Sequence, residues 1–203
     1  MNLNRRSTFF FDWCHDNSLY SQCSALDSIE GQNIMRFVEG CNFEEFSAYL
    51  EKIGQYSEKG ALEKLRGYLD SKHFNLIIFR ENGKIIGHAI WHETNTEEHR
   101  GGDARDKEDR EILQSFFRGK RDFIELHELW LTKEHRGKGY GKRFFDFFED
   151  YMRKNGHDAI IYYAFDPAAV AICRKRGYKE AYGVKETGPY GEMETMYVFH
   201  IQL

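Results

Sequence analysis

The chain has 203 residues, enough for one well-buried core, and its two prolines and lack of low-complexity runs give no linker to divide it. A net charge of −4, with 31% charged and 16% aromatic residues, describes a folded soluble protein. It excludes a general nucleic-acid binder, which needs a broad basic surface to displace counterions. The only apolar run near the N-terminus, Phe9 to Phe11, is too short for a signal segment or a membrane span, so a cytoplasmic protein with no membrane partner is expected.

Residues 1–32 read as an N-terminal extension, with Phe9 to Trp13 strand-like; residues 33–203 read as a single domain. Asn33 to Glu39 alternates apolar and polar residues, as a first core strand does. Asn42 with Glu45 three residues on marks a helix start, and Phe43, Phe46, Tyr49, Leu50 and Ile53 form its stripe. A second helix is predicted from about Glu58 to Asp70. Asn75 to Arg80 and Lys84 to Trp91 are strands joined by a hairpin at Glu81-Asn82-Gly83. From about residue 92 to 121 the chain turns polar, an inserted segment in which Asp103 caps a helix that buries Ile112, Leu113, Phe116 and Phe117. Its acids, among them Glu97, Glu98, Asp106, Glu108 and Asp109, suit a cationic ligand or simply a solvated face.

Next comes FIELHELWLTKEHRGKGYGKR, residues 123–143, an apolar strand running into a loop where Gly137, Gly139 and Gly141 alternate with Arg136, Lys138 and Lys142. A helix follows at once, with Phe144, Phe145, Phe147, Phe148, Tyr151 and Met152 at helical spacing. Glycines let the backbone approach a ligand, and an uncovered helix N-terminus attracts an anion. The layout is a phosphate or pyrophosphate cradle. It is not a P-loop, because Gly141-Lys142 lacks a glycine five residues earlier and is followed by Arg143. Nor is it a dinucleotide fingerprint, since the glycines read G-x-G-x-G late in the chain. After a strand from Ala159 to Ala164, Asp166 and Pro167 open a short helix, Arg174 to Arg176 crowd its last turn, and Gly177 closes it. Tyr182 to Lys185 and Glu194 to Gln202 are the last two strands, turning at Gly188 to Gly191.

Two of these stretches carry a resemblance. Arg136-x-x-Gly139-x-Gly141 resembles the acyl-CoA loop of the GNAT superfamily of N-acetyltransferases, and Ala169, Ile172, Gly177 and Tyr178 fall in register with that family's second landmark, with Asp166 where Asn is usual. The resemblance implies an α+β, three-layer α/β/α fold with a mixed, mostly antiparallel central sheet. It implies acetyl-CoA as cosubstrate, without a metal, and an amine acceptor. The cofactor-binding positions it implies are Leu129, Leu131, Arg136, Gly137, Lys138, Gly139, Gly141, Lys142 and Asp166. Cys173 stands where many members carry a Tyr proposed to protonate the leaving thiolate.

Acetyl transfer needs a neutral amine, so an acid or histidine beside the thioester is wanted. Glu125, eleven residues before Arg136, has the offset at which family members place a catalytic or acceptor-binding Glu. Strict alternation puts Glu125 and His127 on one face and Glu128 on the other, unless a bulge intervenes; such a bulge is a family feature, so Glu125, Glu128 and His127 are all candidates. Cys14, Cys23, Cys41 and Cys173 lack metal-ligand spacing and read as free thiols. Three functions stay open: an N-acetyltransferase acting on a cationic small molecule or peptide, a non-catalytic CoA-binding module, and a binder of another diphosphate. A homodimer also stays open.

Overall fold

A computed structural model describes residues 35–97, 105–181, 184–187 and 193–203. The expectations for residues 1–32, for Asp103 and for the turn at Gly188 to Gly191 lie outside these residues. Strand β1 (Met35–Glu39) leads into α1 (Phe43–Lys52) and α2 (Ala61–Asp70), then the hairpin β2 (Asn75–Glu81) and β3 (Lys84–Asn95). The insert carries α3 (Arg105–Phe116). Strand β4 (Asp122–Leu131), one 3-10 turn at Lys133–His135, α4 (Tyr140–Lys154), β5 (Ala159–Ala164) and α5 (Pro167–Lys175) follow. The chain closes with β6 (Lys179–Glu180), β7 (Val184–Thr187) and β8 (Met193–Gln202).

Local chemistry sets these boundaries. The Asn42 side chain accepts from the Glu45 amide at 3.1 Å, and Asp166 accepts from Ala168 at 2.7 Å with Pro167 in the first turn of α5. Asn82 and Gly83 both take positive φ, +50° and +79°, which matches the twist of a two-residue hairpin. The predicted second helix starts later, at Ala61, after Gly60 in the left-handed region. Strand β3 runs four residues past Trp91, because Glu93 to Asn95 find partners in Asp122 to Ile124.

The sheet order is β1-β2-β3-β4-β5-β8-β6, with β7 paired to β8. All pairings are antiparallel except β4 with β5, which run parallel. One face packs on α4 and α5 through Phe144, Phe145, Phe148, Met152, Val170 and Cys173. Burying each of these Phe rings stabilises the fold by roughly 1.5–3 kcal/mol. The other face is shared: α1 and α2 cover β2 and β3 around Leu76, Ile78 and Ile90, while α3 covers β4, β5 and β8 around Phe123, Ile161 and Val198. Both helical layers and the mixed sheet are as the sequence implied. Among the described residues, no helix is long and apolar enough to cross a membrane.

Candidate active site

Strand β4 belongs to β3 over its whole length, up to Gly87 opposite Leu131, but pairs with β5 only at Ile124, Glu125 and Leu126. Strand β5 stays with β8 up to Ala164 opposite Tyr197. The two parallel strands therefore part after Leu126 and Tyr162. The Thr132 amide bonds Ile86 O at 2.9 Å, so by alternation the backbone groups of Leu131 and Leu129 turn away from β3 and into the gap.

The glycine loop closes the far end of this gap. Gly137 and Gly139 have φ of +73° and +83°, and Gly139 caps α4 without any side-chain hydrogen bond to the first turn. The first amides of α4 have no side-chain cap, and Arg136, Lys138 and Lys142 lie within three residues of Gly139 in the chain. A Cβ on Gly139 would meet nothing within 4 Å, whereas one on Gly141 would come 3.1 Å from Ile172 Cδ1. Gly141 packs against α5, whereas Gly137 and Gly139 both border open space.

Arg136 spans the gap mouth. Its Nε donates to Leu131 O at 3.1 Å, its Nη1 reaches Asp166 Oδ2 at 3.3 Å, and its guanidinium lies 4.7 Å from the Trp130 ring centroid. Asp166 thus holds α5 with one oxygen and Arg136 with the other. Lys142 Nζ sits in solvent, 3.8 Å from Asp146.

A second network anchors the loop to the hairpin. Glu81 accepts from the Tyr140 hydroxyl and pairs with His135 Nε2 at 3.1 Å, while His135 Nδ1 is 2.6 Å from Thr132 Oγ1. The Tyr140 hydrogen bond, with help from His135, holds the Glu81 carboxyl below the usual carboxylate range. Sequence reading missed this set because its members lie more than fifty positions apart.

The acidic candidates meet on the opposite face. The register between β3 and β4 shifts between Ile90 and Trp91, with Glu128 opposite Ile90 and Leu126 opposite Trp91, so His127 is an extra residue. Leu126, Leu129 and Leu131 all belong to the α4 and α5 side. His127 packs instead against Phe74 of the α1 and α2 side, and Glu128 reaches Tyr56 and His88 there. Of the two arrangements left open by the sequence, the bulged one is present: it puts Glu125, His127 and Glu128 on one face.

Glu128 accepts from Tyr56 Oη at 2.6 Å and from His88 Nε2 at 2.8 Å, and His88 Nδ1 lies 3.4 Å from the Tyr49 hydroxyl. Burial pushes the Glu128 carboxyl up, but His88 and then Tyr56 pull it further down, leaving it below the ordinary range. Its side chain keeps 31% of its surface exposed. Glu125 is buried at 4%, with His127 Nδ1 3.6 Å from Oε1, and His92 Nδ1 is 2.6 Å from His127 Nε2. His88 and His92 were not singled out in the sequence. Their even spacing on one strand was the available signal.

Cys173 is fully buried among the aromatic residues behind the gap, and burial pushes its thiol up to about 12. The Tyr178 hydroxyl donates to Glu149 beside Arg176. Of the two described free thiols, Cys41 is half-buried and also pushed up to about 12 by burial.

The chain belongs to the acetyltransferase (GNAT) family, whose sequence profile matches residues 41–178. That membership makes it an acetyl-CoA-dependent N-acetyltransferase in general terms. Among solved structures of similar fold is NAA60 of Arabidopsis thaliana in complex with a bisubstrate analogue, with 11% identity and a TM-score of 0.60 over 84% of this chain and 99% of that one. The Drosophila melanogaster polyamine N-acetyltransferase gives 13% and 0.59 over 83% and 100%. The yncA protein of Salmonella typhimurium with acetyl-CoA gives 16% and 0.56 over 84% and 95%. No curated protein matches the chain in sequence.

Proposed function

We propose that this protein moves the acetyl group of acetyl-CoA directly onto a primary amine carried by a cationic small molecule or peptide. The observation that carries this reading is the placement of two carboxylates, Glu125 and Glu128, on the face of β4 next to the point where β4 and β5 part. The amides of Leu129 and Leu131 would hold the pantetheine arm and receive the developing oxyanion. The first turn of α4, opened by Gly139 and ringed by Arg136, Gly137, Lys138 and Lys142, would take the pyrophosphate. Asp166 acts by orienting Arg136, with Gly141 spacing α4 from α5.

Glu128, already ionised and held by two donors, suits binding of the incoming ammonium rather than removal of its proton. Glu125, closed off from water beside His127, is the better base. The amine loses one proton to Glu125, attacks the thioester carbon, and gives up its second to the departing sulfur. That second proton removes the need for an acid at Cys173, whose thiol is a weaker acid than a free thiol of pKa near 8.5. The polyamine acetyltransferase among the similar folds agrees with a cationic acceptor. Free thiols at Cys41 and Cys173 fit a reducing, cytoplasmic setting.

The test is thiol release from acetyl-CoA against pooled amines, followed by Glu125→Gln and Glu128→Gln. Glu125→Gln should lower turnover and alter its pH profile while sparing CoA affinity; Glu128→Gln should chiefly raise the amine's Michaelis constant. CoA binding without turnover on any amine would make the chain a CoA-binding module instead. Loss of turnover in Glu128→Gln with none in Glu125→Gln would move the base to Glu128.

A further inference from the structure

Three side chains on the acceptor face form a line from the interior outward. Glu125 is 5% exposed and His127 15%, with 3.6 Å between Oε1 and Nδ1. The other nitrogen of His127, Nε2, lies 2.6 Å from Nδ1 of the partly exposed His92. The two imidazoles are 11° from parallel, and Phe74 packs against both, with ring centroids 4.7 Å and 5.6 Å away. Two imidazole nitrogens at 2.6 Å hold a proton between them, since facing lone pairs would repel. A tetrahedral metal with bonds near 2.05 Å would set its nitrogens about 3.3 Å apart. The observed spacing therefore suits proton sharing.

This geometry answers a need of the reaction proposed above, on which it rests. A buried carboxylate that takes a proton from an ammonium group must lose it before the next turnover, and Glu125 has almost no surface from which to do so. We propose that His127 and His92 form a proton path that returns Glu125 to its ionised state. Protonated Glu125 gives its proton to His127 Nδ1, His127 Nε2–H passes one to His92 Nδ1, and His92 Nε2–H releases one to water. Each ring then holds its proton on the opposite nitrogen, and the line resets when each ring takes a proton from water at Nε2 and releases its Nδ1 proton to water, which leaves Glu125 ionised. The step from Glu125 to His127 requires the carboxyl to swing closer by about half an ångström to reach hydrogen-bond distance. Other ionisable groups face this line: His73 stacks on His92, with centroids 5.6 Å apart, and Glu128 lies one residue from His127, paired to His88. His92 is thus a relay acting through His127 and not a group that touches the amine.

The experiment compares His92→Gln and His92→Ala with wild type in single-turnover and steady-state thiol release at low buffer concentration. His92→Gln keeps a hydrogen-bonding side chain of similar length yet cannot relay a proton. Steady-state turnover should fall at least tenfold in both, with the first turnover, CoA affinity and the amine's Michaelis constant within about twofold of wild type. Added imidazole should restore turnover in His92→Ala in proportion to its concentration, which a packing defect would not allow. Turnover within twofold of wild type in His92→Gln, or a loss that imidazole leaves unchanged, overturns the path. Should both variants melt early, the wild-type solvent-isotope dependence decides: a bowed proton inventory on steady-state turnover supports the path, and a linear one refutes it. Wild type inactive on every amine removes the acetyltransferase reading itself. Wild type active and Glu125→Gln equally active removes only the base assignment, and the path with it.

Discussion

Two glycines of the loop, two positions apart, are required for different reasons, and substitution separates them. Gly139 holds φ +83°, where an L-residue costs about 1–2 kcal/mol, and a Cβ there enters open space beside the uncapped α4 turn. Gly139→Ala should therefore lower the melting temperature by only a few degrees, at roughly 2–4 °C per kcal/mol for a chain this size. Its effect on CoA should be larger. In the function proposed above the pyrophosphate lies against the first amides of α4, beside the new methyl group, and loss of one such contact at about 1.4 kcal/mol is a tenfold rise in the dissociation constant. Gly141 has no positive φ, and its Cβ would press Ile172 Cδ1 at 3.1 Å and touch Leu131 Cδ1 at 3.7 Å. In Gly141→Ala the Ile172 side chain can yield by a few tenths of an ångström, and the helix gains up to about 1 kcal/mol from replacing Gly. Stability and affinity should both stay near wild type. Gly141→Val overpacks the contact between α4 and α5, at about 1–3 kcal/mol, and should show first in melting. Titration calorimetry with CoA and scanning calorimetry on the three variants give the comparison. Unchanged CoA affinity in Gly139→Ala would refute the cradle, and a Gly141→Ala variant that loses affinity without melting earlier would refute the division of roles.

The remaining predictions concern other parts of the molecule. Cys173→Ala should keep turnover within twofold of wild type, whereas Cys173→Tyr should unfold at lower temperature, because a fully buried thiol among Phe145 and Val170 leaves no room for a phenol; a dead but well-folded Cys173→Ala would return the acid role to the thiol. Replacing Asp103 to Asp109 by a short Gly/Ser link should raise the amine's Michaelis constant and spare that of acetyl-CoA, since α3 covers β4 and β5 on the face that carries Glu125; equal constants for both substrates before and after would mark the segment as decoration. His200 is held below the usual histidine range, by burial first and then by Lys179 and Arg121. It stays neutral in the fold while the unfolded chain protonates near 6.5, so its contribution to stability is lost as pH falls below that value. Melting temperature should accordingly drop between pH 7.5 and 5, and less steeply in His200→Phe; parallel curves for the two proteins would exclude it.

What the sequence made legible was local. The caps at Asn42 and Asp166, the Asn82-Gly83 turn and the phenylalanine stripe of α4 each lie within a few residues of what they specify. The strand, glycine loop and helix order around Gly137 and Gly139 was legible for the same reason. The roles of Glu81, Tyr140 and His135 were not, because they depend on β2 and α4 meeting across the sheet. That Gly141 also has Ile172 packed behind it could not be read, because nothing in the loop's spacing reveals the approach of α5. Strand β6, two residues long, has no periodicity to detect.

The face of Glu128 marks the limit most clearly, and it also explains how β4 serves two sides. A regular strand alternates, so each polar residue on the acceptor face is followed by one on the face of α4 and α5. Leu126, Leu129 and Leu131 keep to the α4 and α5 face, yet between the first two stand both His127 and Glu128. With two residues opposing one, the bulge places an additional side chain on the acceptor face without shifting the leucines that follow. Glu125, His127 and Glu128 can then lie side by side, the first buried, the last partly exposed, and the extra residue between them in contact with His92. Because a bulge is defined by the partner strand, here the step from Ile90 to Trp91, its position could not be read from β4 alone.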